Sequence, residues 1–176
     1  MPHLHTEPGQ HDHTISGFIV RTDLPEPKLI LHKHKKLGRY IQFGGHIELH
    51  ETPWQAITHE LREESGYTMP QLSLLQPKQR ITSLTGVKLH PVAIYHNTHN
   101  FDEVHFHTDL GYAFITDEEP IMAVEGNESN DMLLVSRHEL VALPADQTFE
   151  SVREAGLFIF DVCLSEWEVA NLANFA

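Results

Sequence analysis

Hydrophobic and polar positions divide the chain into elements of two periods. Ile15–Arg21 (ISGFIVR) is β-branched and aromatic and predicts a strand. Leu24-Pro25-Glu26-Pro27 predicts a turn, because two prolines block ladder pairing. Lys28–His32 and Arg39–Phe43 predict a second and a third strand, joined by a basic loop from His32 to Lys36, and Gly44-Gly45 follows them. The clearest helix is predicted over 53–65. Thr52 and Gln55 have capping-box spacing, Pro53 takes the first helical position, and Gly66 supplies a left-handed C-terminal cap. Further strands are predicted at Leu72–Leu75, Ile81–Leu84, Val87–Tyr95, Val104–Thr116 and Met132–Val135, then a helical turn at Arg137–Leu140. The tail from Phe149 predicts helix, with Ser165 and Glu168 as a second capping box and Trp167, Val169, Leu172 and Phe175 as an apolar face. Strands on both sides of one strong helix, with helices at the end, predict an α/β (α+β) fold with layers packed on a mixed sheet.

The strong helix carries the chemistry. At about 100° per residue from Trp54, Ile57 and Leu61 fall at about 300° and 340° and define a buried stripe. Glu63, Glu60 and Glu64 fall at about 180°, 240° and 280°, so three carboxylates share one face beside that stripe. Like charges at this spacing repel, and they sit in the half of the helix where the dipole favours cations. A hard divalent cation with oxygen ligands would reverse both effects. An acidic helix face left to solvent is the plainer alternative.

Composition narrows the field. The chain has 176 residues, with 12 Lys+Arg against 25 Asp+Glu, for a net charge of −13 with histidine neutral. An acidic chain argues against a partner held by its phosphate backbone, so no long nucleic acid is expected. No apolar run approaches the roughly 18 residues that span a bilayer, and no secretory signal is visible, so a cytoplasmic protein without a membrane partner is expected. The lone cysteine, Cys163, cannot form an internal disulfide and excludes a cysteine-based zinc finger. It is expected to be a buried structural thiol.

Residues 45–67 read GHIELHETPWQAITHELREESGY. This resembles the box of the Nudix hydrolase family (MutT-like), G-x5-E-x7-R-E-U-x-E-E-x-G-U, where U is bulky and apolar. Gly45, Glu51, Glu60, Leu61, Glu63, Glu64 and Gly66 are in register, and the flanking strands extend the resemblance over 15–145. It implies an α/β/α sandwich with a mixed sheet. It divides the chain into a His-rich segment 1–14, a Nudix-like domain 15–145, and a C-terminal helical extension 146–176 packed on the same domain. Two positions depart from the box: His59 stands where the family has arginine, and Tyr67 takes the final apolar place. His59 is i,i+4 to Glu63 and within reach of a hydrogen bond to it, and without a pKa shift it carries full charge only below about pH 6.5.

The resemblance implies hydrolysis of a pyrophosphate bond in a nucleoside diphosphate linked to another group, with Mg²⁺ or Mn²⁺ as cofactor and a small-molecule nucleotide as partner. Glu60 and Glu64 are implied as metal ligands, Glu63 as a further ligand directly or through water, Gly44 as a backbone ligand, and Glu51 as an orienting residue. The general base varies in the family; a box glutamate, Glu118, Glu119, Glu125 and Glu128 all stay open. The C-terminal helices are expected to cap the cleft or to form a homodimer interface.

Fifteen histidines add further candidates. In a strand His105, His107 and Asp109 share one face, which suits a transition metal, substrate phosphates or plain solvent exposure. Lys33 and Lys35 belong to the basic loop near Gly44-Gly45 and are candidates for distal phosphates. His3, His5, His11 and His13 with Asp12 form an N-terminal cluster that is either a zinc or nickel site or a loose segment. Two other readings therefore stay open beside the hydrolase: a catalytically weakened Nudix-like nucleotide-binding module, and a His-rich transition-metal-binding protein.

Overall fold

A computed structural model describes residues 7, 9–100, 102–125, 129–170, 172 and 175. Its order is β1 (His11–Arg21), β2 (Lys28–His34), β3 (Arg39–Ile41), β4 (Phe43–His46), α1 (Pro53–Ser65), β5 (Ser73–Gln76), β6 (Tyr95–Asn100), β7 (Phe106–Thr116), β8 (Met132–Val135), α2 (Arg137–Ala142), α3 (Glu150–Phe158) and β9 (Glu168–Ala170). The strands form one mixed sheet in the order β3-β2-β1-β7-β5-β9, with β4 on β1, β6 on β7 and β8 on β2. The axis of the sheet is the parallel pair β1–β7, in register from His11↔Phe106 to Arg21↔Thr116.

Alternation along these strands builds two cores. Ile15 and Ile19 of β1, with Tyr112 and Phe114 of β7, pack with Trp54, Ile57 and Leu61 of α1. Phe18 and Val20, with Leu29, Leu31 and Ala113, pack on the other face with Leu140, Val152, Ile159 and Cys163. Helices on both faces of a mixed sheet give the α/β/α sandwich expected.

Several local expectations are corrected. β1 begins at His11, so His11 and His13 lie on a strand; His3 and His5 lie outside the described residues. β2 runs on to His34, so His32 is a buried strand residue and the turn starts at Lys35. The third strand divides into β3 and β4. No strand forms at Ile81–Leu84, and the one expected at Val87–Tyr95 starts only at Tyr95. Ile81, Leu84 and Val87 are exposed, so the pattern there reflects no burial against a neighbouring strand. The second capping box is absent. The Ser165 hydroxyl donates to the Asp161 and Val162 carbonyls, and Glu168 begins β9 on β5. The tail is thus helix, a π-helical turn at Ile159–Cys163, and a strand.

Cys163 is fully buried, and burial pushes its thiol up to about 12. Gly17 lies beneath α1, where an added Cβ would stand 2.7 Å from Leu61 Cδ2 and 2.9 Å from Ile57 Cδ1. Gly17→Ala is expected to push the helix off the sheet and destabilise the protein by about 1–3 kcal/mol, read as a lowered urea midpoint.

Candidate active site

The site is set by how α1 starts, stops and lies on the sheet. The Thr52 side chain accepts from Gln55 N–H at 3.3 Å while Gln55 Oε1 accepts from Thr52 N–H at 2.9 Å. At the other end Gly66, at φ +74°, donates to the Arg62 carbonyl. Between these caps the three carboxylates are graded by their angular distance from the apolar stripe. The Glu63 side chain is 42% exposed, Glu60 17% and Glu64 8%.

Glycines let the sheet backbone meet this face. Gly44 sits at φ +139°, where a side chain is strained, and a Cβ there would overlap the Ile15 carbonyl. Its N–H donates to Glu64 Oε2 at 2.7 Å. A Cβ on Gly45 would stand 2.8 Å from Glu60 Cδ, so glycine is what admits that carboxylate. On the far side of Glu64, His32 Nε2 lies 3.7 Å from the same Oε2. Burial pushes the His32 imidazole down to about 4, with His34 adding to it and the Gln42 backbone opposing.

His59 takes a different partner from the one its helical spacing indicates. It turns away from Glu63 and bridges Glu51 and Glu60, with Nδ1 2.8 Å from Glu51 Oε1 and Nε2 3.3 Å from Glu60 Oε1. The hydrogen bond to Glu60 is the main cause that raises its pKa to about 9; burial opposes, and the charges of Glu60 and Glu51 add to the rise. With this shift His59 is a cation at neutral pH, where an unshifted imidazole is mostly neutral. Tyr67, the other departure, is 2% exposed and donates its hydroxyl to the Glu118 carbonyl at 3.0 Å.

The loop after β7 doubles back over the end of α1. Met122 N–H donates to the Gly66 carbonyl at 3.2 Å, and Glu125 N–H to the Glu63 carbonyl at 2.8 Å. Glu125 Oε1 lies 3.3 Å from Arg62 Nε, and Arg62 also reaches Glu63. Glu125 is thus brought beside the box. Glu119 is instead ion-paired with Arg21 at 2.7 Å, and Glu118 is exposed. Glu128 lies outside the described residues.

The remaining candidates stand apart from the glutamates. Asp109 is 5% exposed and accepts from Thr14, Ser16 and Tyr95 hydroxyls, each at 2.9 Å, on the sheet face away from α1. It is committed to tying β1, β6 and β7 together. His107 shares that face and meets the rings of His46 and His99 edge-on, with centroids 5.0 and 5.3 Å apart. Burial pushes His107 down to about 4. His105 precedes β7 and bonds Asp102 at 2.9 Å, so the three do not form one face. Lys33 pairs with Asp131 at 3.8 Å, and Lys35 lies in the exposed turn. Sequence reasoning put His32 at the junction of the second strand and the basic loop and gave it no place beside the glutamates. The signal was present in the unbroken apolar run Leu29-Ile30-Leu31 before it, the mark of a strand covered on both faces.

Among the described residues no three histidine, cysteine, aspartate or glutamate side chains converge to hold a metal ion. The site offers a half-buried and a buried carboxylate, Glu60 and Glu64, one helical turn apart and facing glycine backbone. That donor set fits Mg²⁺ or Mn²⁺, since magnesium usually takes one or two carboxylates and completes its shell with waters and substrate phosphates.

A family model for the NUDIX domain matches residues 13–154. The fold is similar to that of a NUDIX-family hydrolase from Clostridium perfringens, at 28% identity and TM-score 0.70, covering 86% of this chain and 97% of that one. It is similar to the Ap4A hydrolase of C. elegans at 14% identity and TM-score 0.62, covering 86% and 99%. An E. coli dihydroneopterin triphosphate pyrophosphohydrolase aligns at 17% identity and TM-score 0.57, covering 85% and 96%. No curated protein matches the sequence.

The His59 bridge makes stability depend on pH in a defined direction. Its pKa is higher folded than unfolded, so in metal-free protein its contribution is complete below about pH 6.5 and lost as pH rises through about 9. The difference in urea midpoint between the wild type and His59→Ala, measured in chelator, is expected to shrink from about pH 6 to about pH 10.

Proposed function

The chain belongs to the NUDIX family, whose domain spans residues 13–154, and on that premise we propose a metal-dependent pyrophosphohydrolase that cleaves a nucleoside diphosphate linked to another group. The observation that carries this reading is the paired placement of Glu60 and Glu64. Both are drawn in against the Gly44-Gly45 backbone, and a cationic His59 is fixed on Glu60.

The electrostatic problem in this reaction is a polyanionic substrate attacked by an anionic nucleophile. Bound Mg²⁺ or Mn²⁺ supplies phosphate neutralisation and an activated, oriented water. Glu60 and Glu64 would hold the metal together with the Gly44 backbone, and Glu63, the most exposed of the three, would add an oxygen directly or through water. Glu51 holds one nitrogen of His59, whose other nitrogen holds Glu60. The bridge does the work of the family's arginine, which weakens the case for a module that has lost catalysis. Glu125 is the proton acceptor favoured among the loop acids, because its backbone is anchored to the Glu63 carbonyl.

The test is a product screen of purified protein against nucleoside di- and triphosphate compounds with Mg²⁺ or Mn²⁺. Turnover of one substrate class is expected, reduced more than about 100-fold in Glu64→Gln. Absence of turnover across the panel with either metal would sink the reading. In the same assay Glu125→Gln is expected to lower kcat by about 100-fold with KM little changed, whereas Glu119→Gln leaves kcat as it was.

A further inference from the structure

His32 is 1% exposed on β2, with its ring 5.1 Å from that of Phe43 and edge-on to His34. Neither ring nitrogen makes a hydrogen bond of ordinary length and angle, although the Gln42 backbone also acts on the ring. Buried polar groups are almost always hydrogen-bonded, and one left without a partner destabilises the fold that keeps it. Phenylalanine or leucine would fill the same space without that cost. Such local conflicts concentrate at functional sites.

The direction of the ring says what the conflict serves. Nε2 stands 3.7 Å from Glu64 Oε2, the oxygen that already accepts the Gly44 N–H at 2.7 Å. Both groups therefore address the same oxygen of the carboxylate. A closing movement of roughly 0.8 Å brings Nε2 to hydrogen-bond distance. We infer that His32 is a positioning residue, whose Nε2–H, with the Gly44 N–H, clamps Oε2 of Glu64 when that side chain holds a divalent cation. The inference rests on the hydrolase reading of Glu64. It makes His32 a partner of the ligand rather than a ligand.

The experiment measures Mn²⁺ binding by electron paramagnetic resonance, and melting of the metal-free protein, for the wild type, His32→Phe, His32→Gln and Glu64→Gln. His32→Phe is expected to melt at or above the wild-type temperature yet bind Mn²⁺ about tenfold more weakly. His32→Gln, which keeps an N–H donor, is expected to recover most of the affinity. A His32→Phe variant that binds Mn²⁺ as the wild type does overturns the inference, as does a loss of melting temperature that glutamine does not repair. If Glu64→Gln binds Mn²⁺ as well as the wild type, the metal role of Glu64 has failed, and the two failures are told apart. A readout free of variants is the ¹⁵N spectrum of His32 in the Mg²⁺-loaded protein. The Nε2–H tautomer is expected, and Nδ1–H would overturn the inference.

Discussion

The site depends on how closely α1 can approach the sheet. Gly44 lets β4 lie close on the Ile15 carbonyl, and two glycines stand at the helix contact itself: Gly17 under Leu61 and Ile57, and Gly45 against Glu60. With side chains at these places the helix would ride higher, and its carboxylates would lie in water. The close approach half-buries Glu60, and it buries Glu64 where a backbone N–H can meet it. Buried carboxylates need compensation, which comes locally from the Gly44 N–H and the His59 ring. Packing geometry and charge placement are thus one arrangement, since the glycines that remove bulk also expose the backbone that satisfies the charge.

The three-dimensional surroundings give one residue type opposite properties. His59, between two carboxylates, is held charged to about pH 9. His32, buried, and His107, half-buried, both with other imidazoles nearby, are pushed down to about 4. The histidine count therefore says little about charge. A single histidine becomes a dependable cation because a glutamate stands at each nitrogen, and the rings that stay neutral are the ones packed against aromatic neighbours.

What was legible in the sequence was local. The caps of α1 and the gradation of its three glutamates followed from spacing alone, because one helix determines them. The box pattern implied a sandwich with a mixed sheet, and that is the fold. Less was legible where a residue's state is set by a distant strand. His59 looked like a neighbour of Glu63 by helical spacing, but the segment leading into the helix brings Glu51 to it. Asp109 looked like part of a ligand face, and it is consumed by hydroxyls from β1 and β6. Ile81 and Leu84 looked like strand positions, but a strand pattern reports burial only where a neighbour provides it, and among the described residues no strand pairs with this segment. Among the loop acids, only the return of the loop to the Glu63 carbonyl separated Glu125 from Glu119.

The last strand has a consequence outside the site. β9 covers the free rim of β5 with three residues, Glu168 to Ala170. An open rim of unpaired N–H and C=O groups is a template on which another chain can add, and a short strand carrying a charge offers little purchase for that addition. The C-terminal tail thus terminates the hydrogen-bonded ladder at this end. It keeps a sheet whose central pair is eleven residues long from propagating from one molecule into the next.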